Sequence, residues 1–427
     1  MERIHFGTSI IELDIPKRNM AFNLKANDFK VPGDQAEEIR RSILNPVGCQ
    51  RLRDMVTKND KVVILADDRT RLTPQKLIIP IVLEELYGAG LKNDQIKIVI
   101  ALGTHRSMTS DEIKERFGAE LMSALEIRGH DCLNGKNLID KGTTRRGTRI
   151  FINKEVMEAD IRIAIGSVLP HHPTGWTGGA KIILPGVAGQ ETICAMHLLG
   201  ANEPQLGKIL TPCREEMEDF AQTVNLHFIV NVIHDKEGRI LKAEAGHFIE
   251  AHRRVVNWGF EVFGVKFSQM ADITLSSTYP SDFDLTQSDK GLFSAELATK
   301  HGGEIILVSP CPEGIAPTHG EEMAKLARYD DATLWKMLDE KKIQDPFCAS
   351  ENMYLNHIKN TFKTTLMMDP VLTNIMGFFH LSAADLPSYI KHRLELDNTL
   401  KIGIINQSSE LLPILNGHRS KYPLNSH

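Results

Sequence analysis

Seven short runs of β-branched and aliphatic residues set the tightest limit on what this chain can fold into. They are KVVILAD (61–67), IKIVIALG (96–103), IRIAIGSVL (161–169), LHFIVNVI (226–233), ADITLSS (271–277), EIILVSP (304–310) and LKIGIIN (400–406). Successive strand side chains point to opposite faces, so a run that is apolar throughout belongs to a sheet covered on both sides. Helix signals lie between the runs. Thr73-Pro74 offers an N-cap followed by proline at the first helical position, and Thr109 with Glu112 forms a capping box. Pro80 inside the first of these helices predicts a kink. The alternation predicts an α/β fold: two α/β domains with largely parallel sheets and an active site in the cleft between them. Near residues 258–270 the helical segment FIEAHRRVVNWGF gives way to a new strand. We therefore place an N-terminal domain at 1–265 and a C-terminal domain at 266–427.

Composition narrows the function. Apolar residues are 42% of the 427, charged residues 25%, and the net charge is −5, which gives no electrostatic reason to expect nucleic acid. The one basic cluster, Arg145-Arg146-Gly147-Thr148-Arg149, reads as a solvated loop. No run approaches the roughly 18 apolar residues of a membrane span. The N-terminus has an acidic residue at position two and no long apolar stretch, unlike a secretory signal. Cys49, Cys132, Cys194, Cys213, Cys311 and Cys348 form no CxxC pair. These features predict a cytoplasmic enzyme.

The reactive residue types fall just after predicted strands. KVVILAD runs into Asp68-Arg69-Thr70-Arg71, IKIVIALG into Thr104-His105-Arg106, IRIAIGSVL into Pro170-His171-His172, and ADITLSS into Tyr279-Pro280-Ser281-Asp282. In open α/β sheets, ligands bind at these carboxyl ends. One histidine there would more often be structural; two at equivalent strand ends leave structure and function balanced.

The densest segment is HHPTGWTGGAKIILPGVAGQETICAMH (171–197). Gly175, Gly178 and Gly179 would let backbone approach a ligand closely. Lys181 follows them in an apolar stretch, where desolvation would lower its pKa and free the amine for covalent chemistry. The bland alternative is a lysine reaching to solvent. GWTGGAK lacks the spacing and the trailing Ser or Thr of a phosphate loop. His197 sits in an apolar helical run, where a satisfied core histidine is the ordinary outcome. It could also ligate a soft metal, but other donors would have to come from elsewhere. Gln287 and Lys290, three apart on a helix, supply an amide and an ammonium suited to a carboxylate, or else a solvated helix start.

Taken in order, these motifs resemble the nickel-dependent lactate racemases over most of the chain. The signatures are Asp68-x-Thr70-Arg71, Gly103-Thr104-His105-Arg106, His171 with Lys181 ten residues on, His197 sixteen further, and Tyr279-Pro280 leading to Gln287-Ser288-x-Lys290-Gly291. The resemblance implies a nickel-pincer nucleotide, a Ni(II)-pyridinium-3,5-bisthiocarboxylate mononucleotide made by separate biosynthetic proteins. It implies that Lys181 tethers the group, that His197 ligates nickel, and that His105 and His171 are the acid/base pair. Asp68, Arg69, Thr70 and Arg71 would hold the cofactor, with Arg71 also toward substrate. Gln287 and Lys290 would orient the carboxylate of a small 2-hydroxyacid. The implied activity is racemisation or epimerisation at C2 by reversible hydride transfer, since a carbanion beside a carboxylate is disfavoured.

The chain departs from the family at Leu72, at His172-Pro173 and at Thr286, where lactate-specific members tend to carry proline, aromatics and an aromatic. The last two changes would open or polarise the pocket and imply a substrate larger or more polar than lactate. Two rival readings stay open: an inactive relative that binds small carboxylates, and a nicotinamide-dependent 2-hydroxyacid dehydrogenase. The second lacks a GxGxxG after a strand. Oligomeric state is not legible.

Overall fold

The computed structural model describes residues 1–201 and 204–416. Two six-stranded sheets organise it. The first runs, in spatial order, Ile240–Gly246, Phe228–His234, Ile161–Ser167, Val62–Ala66, Ile96–Ile100, Glu126–Gly129. It is parallel except for the Ile240–Gly246 edge, which pairs antiparallel. The second runs Phe379–His380, Lys363–Leu366, Thr299–Val308, Ala271–Ser277, Ile402–Ile405, Met20–Leu24, and is parallel throughout. All seven apolar runs are strands of these sheets.

Covering on both faces explains their composition. In the first sheet, Val62, Ile64 and Ala66 enter one core while Val63 and Leu65 enter another. In the second, Ile306 and Val308 pack on one side, Ile305 and Leu307 on the other. Each such buried aliphatic side chain stabilises the fold by roughly 1.5–3 kcal/mol. No helix among the described residues is long and apolar enough to cross a membrane.

Local signals held unevenly. The Thr109–Glu112 capping box opens the helix Ser110–Ala124 as expected. The Gln75–Gly88 helix starts one step later than its motif suggests, with Pro74 at the N-cap. The Thr73 hydroxyl is drawn instead to the buried carboxylate of Asp67. Pro80 lies inside that helix, on its exposed side. The basic cluster is solvent-facing but paired, Arg145 with Asp219, Arg146 with Glu215 and Arg149 with Asp140. Met20–Leu24 lies at the edge of the second sheet, although in sequence it precedes every strand of the first.

Candidate functional site

Loops after the parallel strands of both sheets line a cavity of ≈ 430 Å³. From the first sheet come Asp68, Arg69, Thr70, Arg71, His105, His171 and Lys181, with His197 from the Gln190–Leu198 helix. From the second come Gln287, Lys290, Glu313, His319, Gln407 and Glu410. All ten residues singled out from the sequence line this one cavity.

The loop after Val62–Ala66 is pinned from below. Asp67 accepts from Gln75 Nε2 (2.8 Å) and the Ser167 amide (3.3 Å) and pairs with Arg116. Asp68, pointing the other way, reaches the cavity. Its Oδ1 accepts from the Thr70 amide (3.0 Å) and hydroxyl (2.6 Å), and its Oδ2 meets His105 Nδ1 at 2.6 Å. Burial opposes ionisation of Asp68, but His105, Thr70 and Arg71 together hold its carboxyl well below the usual range. An ionised carboxylate can only accept, so His105 donates to it from Nδ1, and Nε2 has no hydrogen-bond partner among the described residues.

His171 reaches the same state by another route. The Thr174 hydroxyl lies 2.9 Å from the Trp176 carbonyl and 3.1 Å from His171 Nδ1. A hydroxyl has one hydrogen and a carbonyl has none, so Thr174 donates to Trp176 and accepts from His171 Nδ1–H. Nε2 is then the unprotonated nitrogen of the neutral His171 ring. Burial, and then the charges of Lys181, Arg71 and Lys290, hold the His171 pKa well below that of an ordinary imidazole.

Lys181 sits on a 3-10 turn, Gly179–Ile182. Its amine has no hydrogen bond or ion pair among the described residues. Burial, followed by Arg71, Lys290 and Arg214, pushes its pKa well below that of a free lysine, which favours the nucleophilic neutral amine. The glycines before it are required by close packing of the protein itself. A Cβ at Gly175 (φ +73°) would stand 1.8 Å from the Lys208 carbonyl oxygen, and one at Gly178 (φ +75°) 2.5 Å from Val168 Cγ2. Arg214, fully buried, donates to the carbonyls of Gly178 (3.0 Å) and Trp176 and clamps the turn.

His197 is not a satisfied core histidine. Its Nδ1 is sealed from solvent without a hydrogen-bond partner, and Nε2 is likewise unpaired among the described residues. Burial and then Lys181 lower its pKa to about 3, so the ring is neutral, as a metal ligand must be. The Arg71 guanidinium bonds only Thr70 and has no carboxylate partner among the described residues. Arg69 faces Glu112 at 3.5 Å. Gln287 lies in the short helix Leu285–Ser288 and Lys290 opens the next, Lys290–Glu296; Lys290 Nζ donates to Gln287 Oε1 at 2.5 Å. Burial lowers the Lys290 pKa to about 8.

Two departures act otherwise than expected. The His172 ring stacks on Phe293 (centroids 4.0 Å apart) and meets Tyr354 edge-on (4.7 Å), with both nitrogens sealed. It therefore serves as an aromatic and does not polarise the cavity. The Thr286 hydroxyl is spent on Asp284 at 2.6 Å. Sequence reasoning missed Thr174, Arg214, His319, Glu351 and Tyr354. Thr174 stood inside the densest motif; the others had no distinguishing spacing.

Residues 6–207 match the family described as lactate racemase N-terminal domain. The chain is 34% identical over 327 residues to the lactate racemase of Thermoanaerobacterium thermosaccharolyticum, covering 75% of each. The chain belongs to the lactate racemase family. A second lactate racemase, from Lactiplantibacillus plantarum, is 31% identical over 305 residues, 70% of each chain. Among solved structures, the lactate racemase apoprotein from T. thermosaccharolyticum superposes with a TM-score of 0.85 at 28% identity, covering 96% of this chain and 99% of that one. A Thermotoga maritima protein, 18% identical, shares the fold with a TM-score of 0.70 over 91% of this chain and 100% of its own.

Proposed function

We propose that this member of the family is a racemase or epimerase that inverts C2 of a 2-hydroxyacid with a nickel-pincer nucleotide. One observation carries the reading: two histidines, each tied through Nδ1, offer Nε2 to a cavity that also holds a lysine amine and an imidazole unpaired among the described residues.

The donor set fits the cofactor. Lys181 has the desolvated amine a covalent tether needs, and His197 has an uncommitted neutral ring for nickel. When bound, the group would supply a reversible hydride acceptor beside C2. The protein does the remainder. Gln287 and Lys290 orient the substrate carboxylate, and Arg71 adds an unpaired guanidinium for substrate or phosphate. One of His105 and His171 takes the hydroxyl proton at Nε2, and the other, which starts that turnover protonated at Nε2, gives its own proton to the oxygen of the planar 2-keto acid from the opposite face. Each transfer contributes roughly 10²–10⁴-fold. Asp68 acts on His105, holding its tautomer and orientation, rather than as a cofactor contact.

We also infer a substrate longer or more polar than lactate. Glu313, Gln407, Ser409 and Glu410 on the wall from the second half support it, since a three-carbon acid gripped by Gln287 and Lys290 does not need them. The six cysteines are unpaired, which supports work in the cytoplasm.

The test is intact mass and nickel content of protein expressed with the cofactor-making proteins, beside Lys181→Ala, followed by chiral assays on lactate, malate, 2-hydroxyglutarate and gluconate. The reading expects a lysine-linked adduct lost in the variant and inversion without net oxidation. Loaded protein that binds hydroxyacid without inverting it would sink the catalytic reading, net oxidation with added NAD would favour a dehydrogenase, and turnover of lactate alone would sink the substrate inference.

A further inference from the structure

Three histidines around the cavity are anchored through Nδ1: His105 on Asp68 at 2.6 Å, His171 on Thr174 at 3.1 Å, His319 on Asp345 at 2.6 Å. His197 is not, and unlike His172, which is stacked as an aromatic, it has a carboxyl beside its ring. Its Nδ1 is buried and bonded to nothing, yet Glu351 Oε1 lies 3.9 Å away. That gap exceeds a hydrogen bond by about 1 Å. A buried polar nitrogen left without a partner is costly enough that native structures rarely keep one without a reason.

The helix carrying Glu351 is already registered against His197. Pro346–Thr361 packs on Gln190–Leu198, and the Tyr354 hydroxyl donates to the His197 carbonyl. Glu351 and Tyr354 are three residues apart, hence neighbours on one helix face. The face that grips the His197 backbone therefore also presents a carboxyl to its ring. The Phe347 ring meets the imidazole edge-on at 5.0 Å and limits its rotation. Since Nδ1 is the sealed nitrogen and His197 lines the cavity, the nitrogen left to the cavity is Nε2.

We propose that Glu351 is the positioning residue for His197: its carboxyl accepts a hydrogen bond from Nδ1–H, fixes that tautomer and aims the Nε2 lone pair into the cavity. This rests on the reading of His197 as the nickel ligand. Partners of this kind set the orientation and basicity of metal-bound imidazoles and change metal affinity about 10–100-fold when removed. The carboxyl keeps an accepting oxygen whether or not it is protonated, so a glutamine replaces it in kind and a leucine does not.

The experiment has two readouts on full-length protein. In the cofactor-free protein, ¹⁵N correlation spectra of labelled histidines report the His197 tautomer, assigned by its loss in His197→Ala. In loaded protein, nickel release under a chelator reports ligand strength. Wild type and Glu351→Gln are expected to hold Nδ1–H and release nickel at similar rates. Glu351→Leu is expected to lose the single tautomer and release nickel about 10–100-fold faster. A wild-type tautomer and release within twofold of wild type in Glu351→Leu overturn the proposal. If that variant does not fold, Glu351→Asp, one methylene shorter, must move both readouts in the same direction; unchanged values there overturn it equally. Nickel held normally by His197→Ala would overturn the ligand reading itself, and the tautomer measurement on cofactor-free protein would still judge Glu351.

Discussion

The loops of the first sheet and those of the second meet in one cavity but are built differently. After Val62–Ala66, Ile96–Ile100 and Ile161–Ser167, each reactive side chain is tied at one atom and left open at another: His105 by Asp68, His171 by Thr174. The Lys181 turn is held through backbone, by Arg214 and by glycines wedged against neighbouring chain. After Ala271–Ser277 the polar side chains bond mainly to one another, Lys290 to Gln287 and Thr286 to Asp284. The first arrangement suits groups that must react in one orientation. The second suits a grip whose members exchange each other for a ligand. Chemistry on one half and recognition on the other is therefore the division to be tested.

Lys181→Ala should break it most completely, removing the covalent adduct by intact mass and with it all measurable turnover. Full activity in that variant would sink the tether assignment. Replacing either base, His105→Gln or His171→Gln, should cost about 10²–10⁴-fold in kcat with the adduct retained. A loss expressed only in KM would move these residues to the recognition side. Asp68→Asn should lower kcat about 10–100-fold, as removal of an orienting partner does. Unaltered kcat there would detach Asp68 from His105.

The recognition half should answer in KM. Lys290→Met removes one charged hydrogen bond to the carboxylate, and KM should rise about 10–100-fold with kcat little changed. The smallest effect is in pH. Burial places Lys290 at about 8, so its ammonium is present below that pH and lost above it. KM should be flat below pH 8 and rise with each unit above it, which initial rates across a pH series can check. A KM that stays flat well past that pH would contradict the role.

What the sequence disclosed follows this same division. Central strands were legible because burial on both faces demands unbroken apolar runs such as VVILA and IRIAIGS. Outer strands were not: KTTL (363–366), next to the edge strand Phe379–His380, and MAFNL (20–24), at the opposite edge, carry polar residues that break the apolar run. His105 and His171 stood out by following strands directly, and Lys181 by following glycines in an apolar stretch. The roles of Asp68 and Thr174 were hidden, because which atom of a carboxylate or hydroxyl meets which nitrogen is a matter of geometry, not of spacing. His172 was misread because stacking on Phe293 and Tyr354 decides whether an imidazole behaves as a base or as a ring. Glu351 was invisible, since the helix that brings it to His197 makes its contact across 157 residues of sequence.

The edge strand Met20–Leu24 carries a last consequence, for synthesis on the ribosome. It pairs with Ile402–Ile405, and beside it Asn19 donates to the Leu400 carbonyl across 381 residues. Contacts of such separation form late, because the intervening chain must first be ordered. The first sheet has no such dependence and can close as soon as residue 246 has been made. The early segment must then wait with an unpaired edge until the chain is nearly finished, and that edge is where a stalled or truncated product would aggregate.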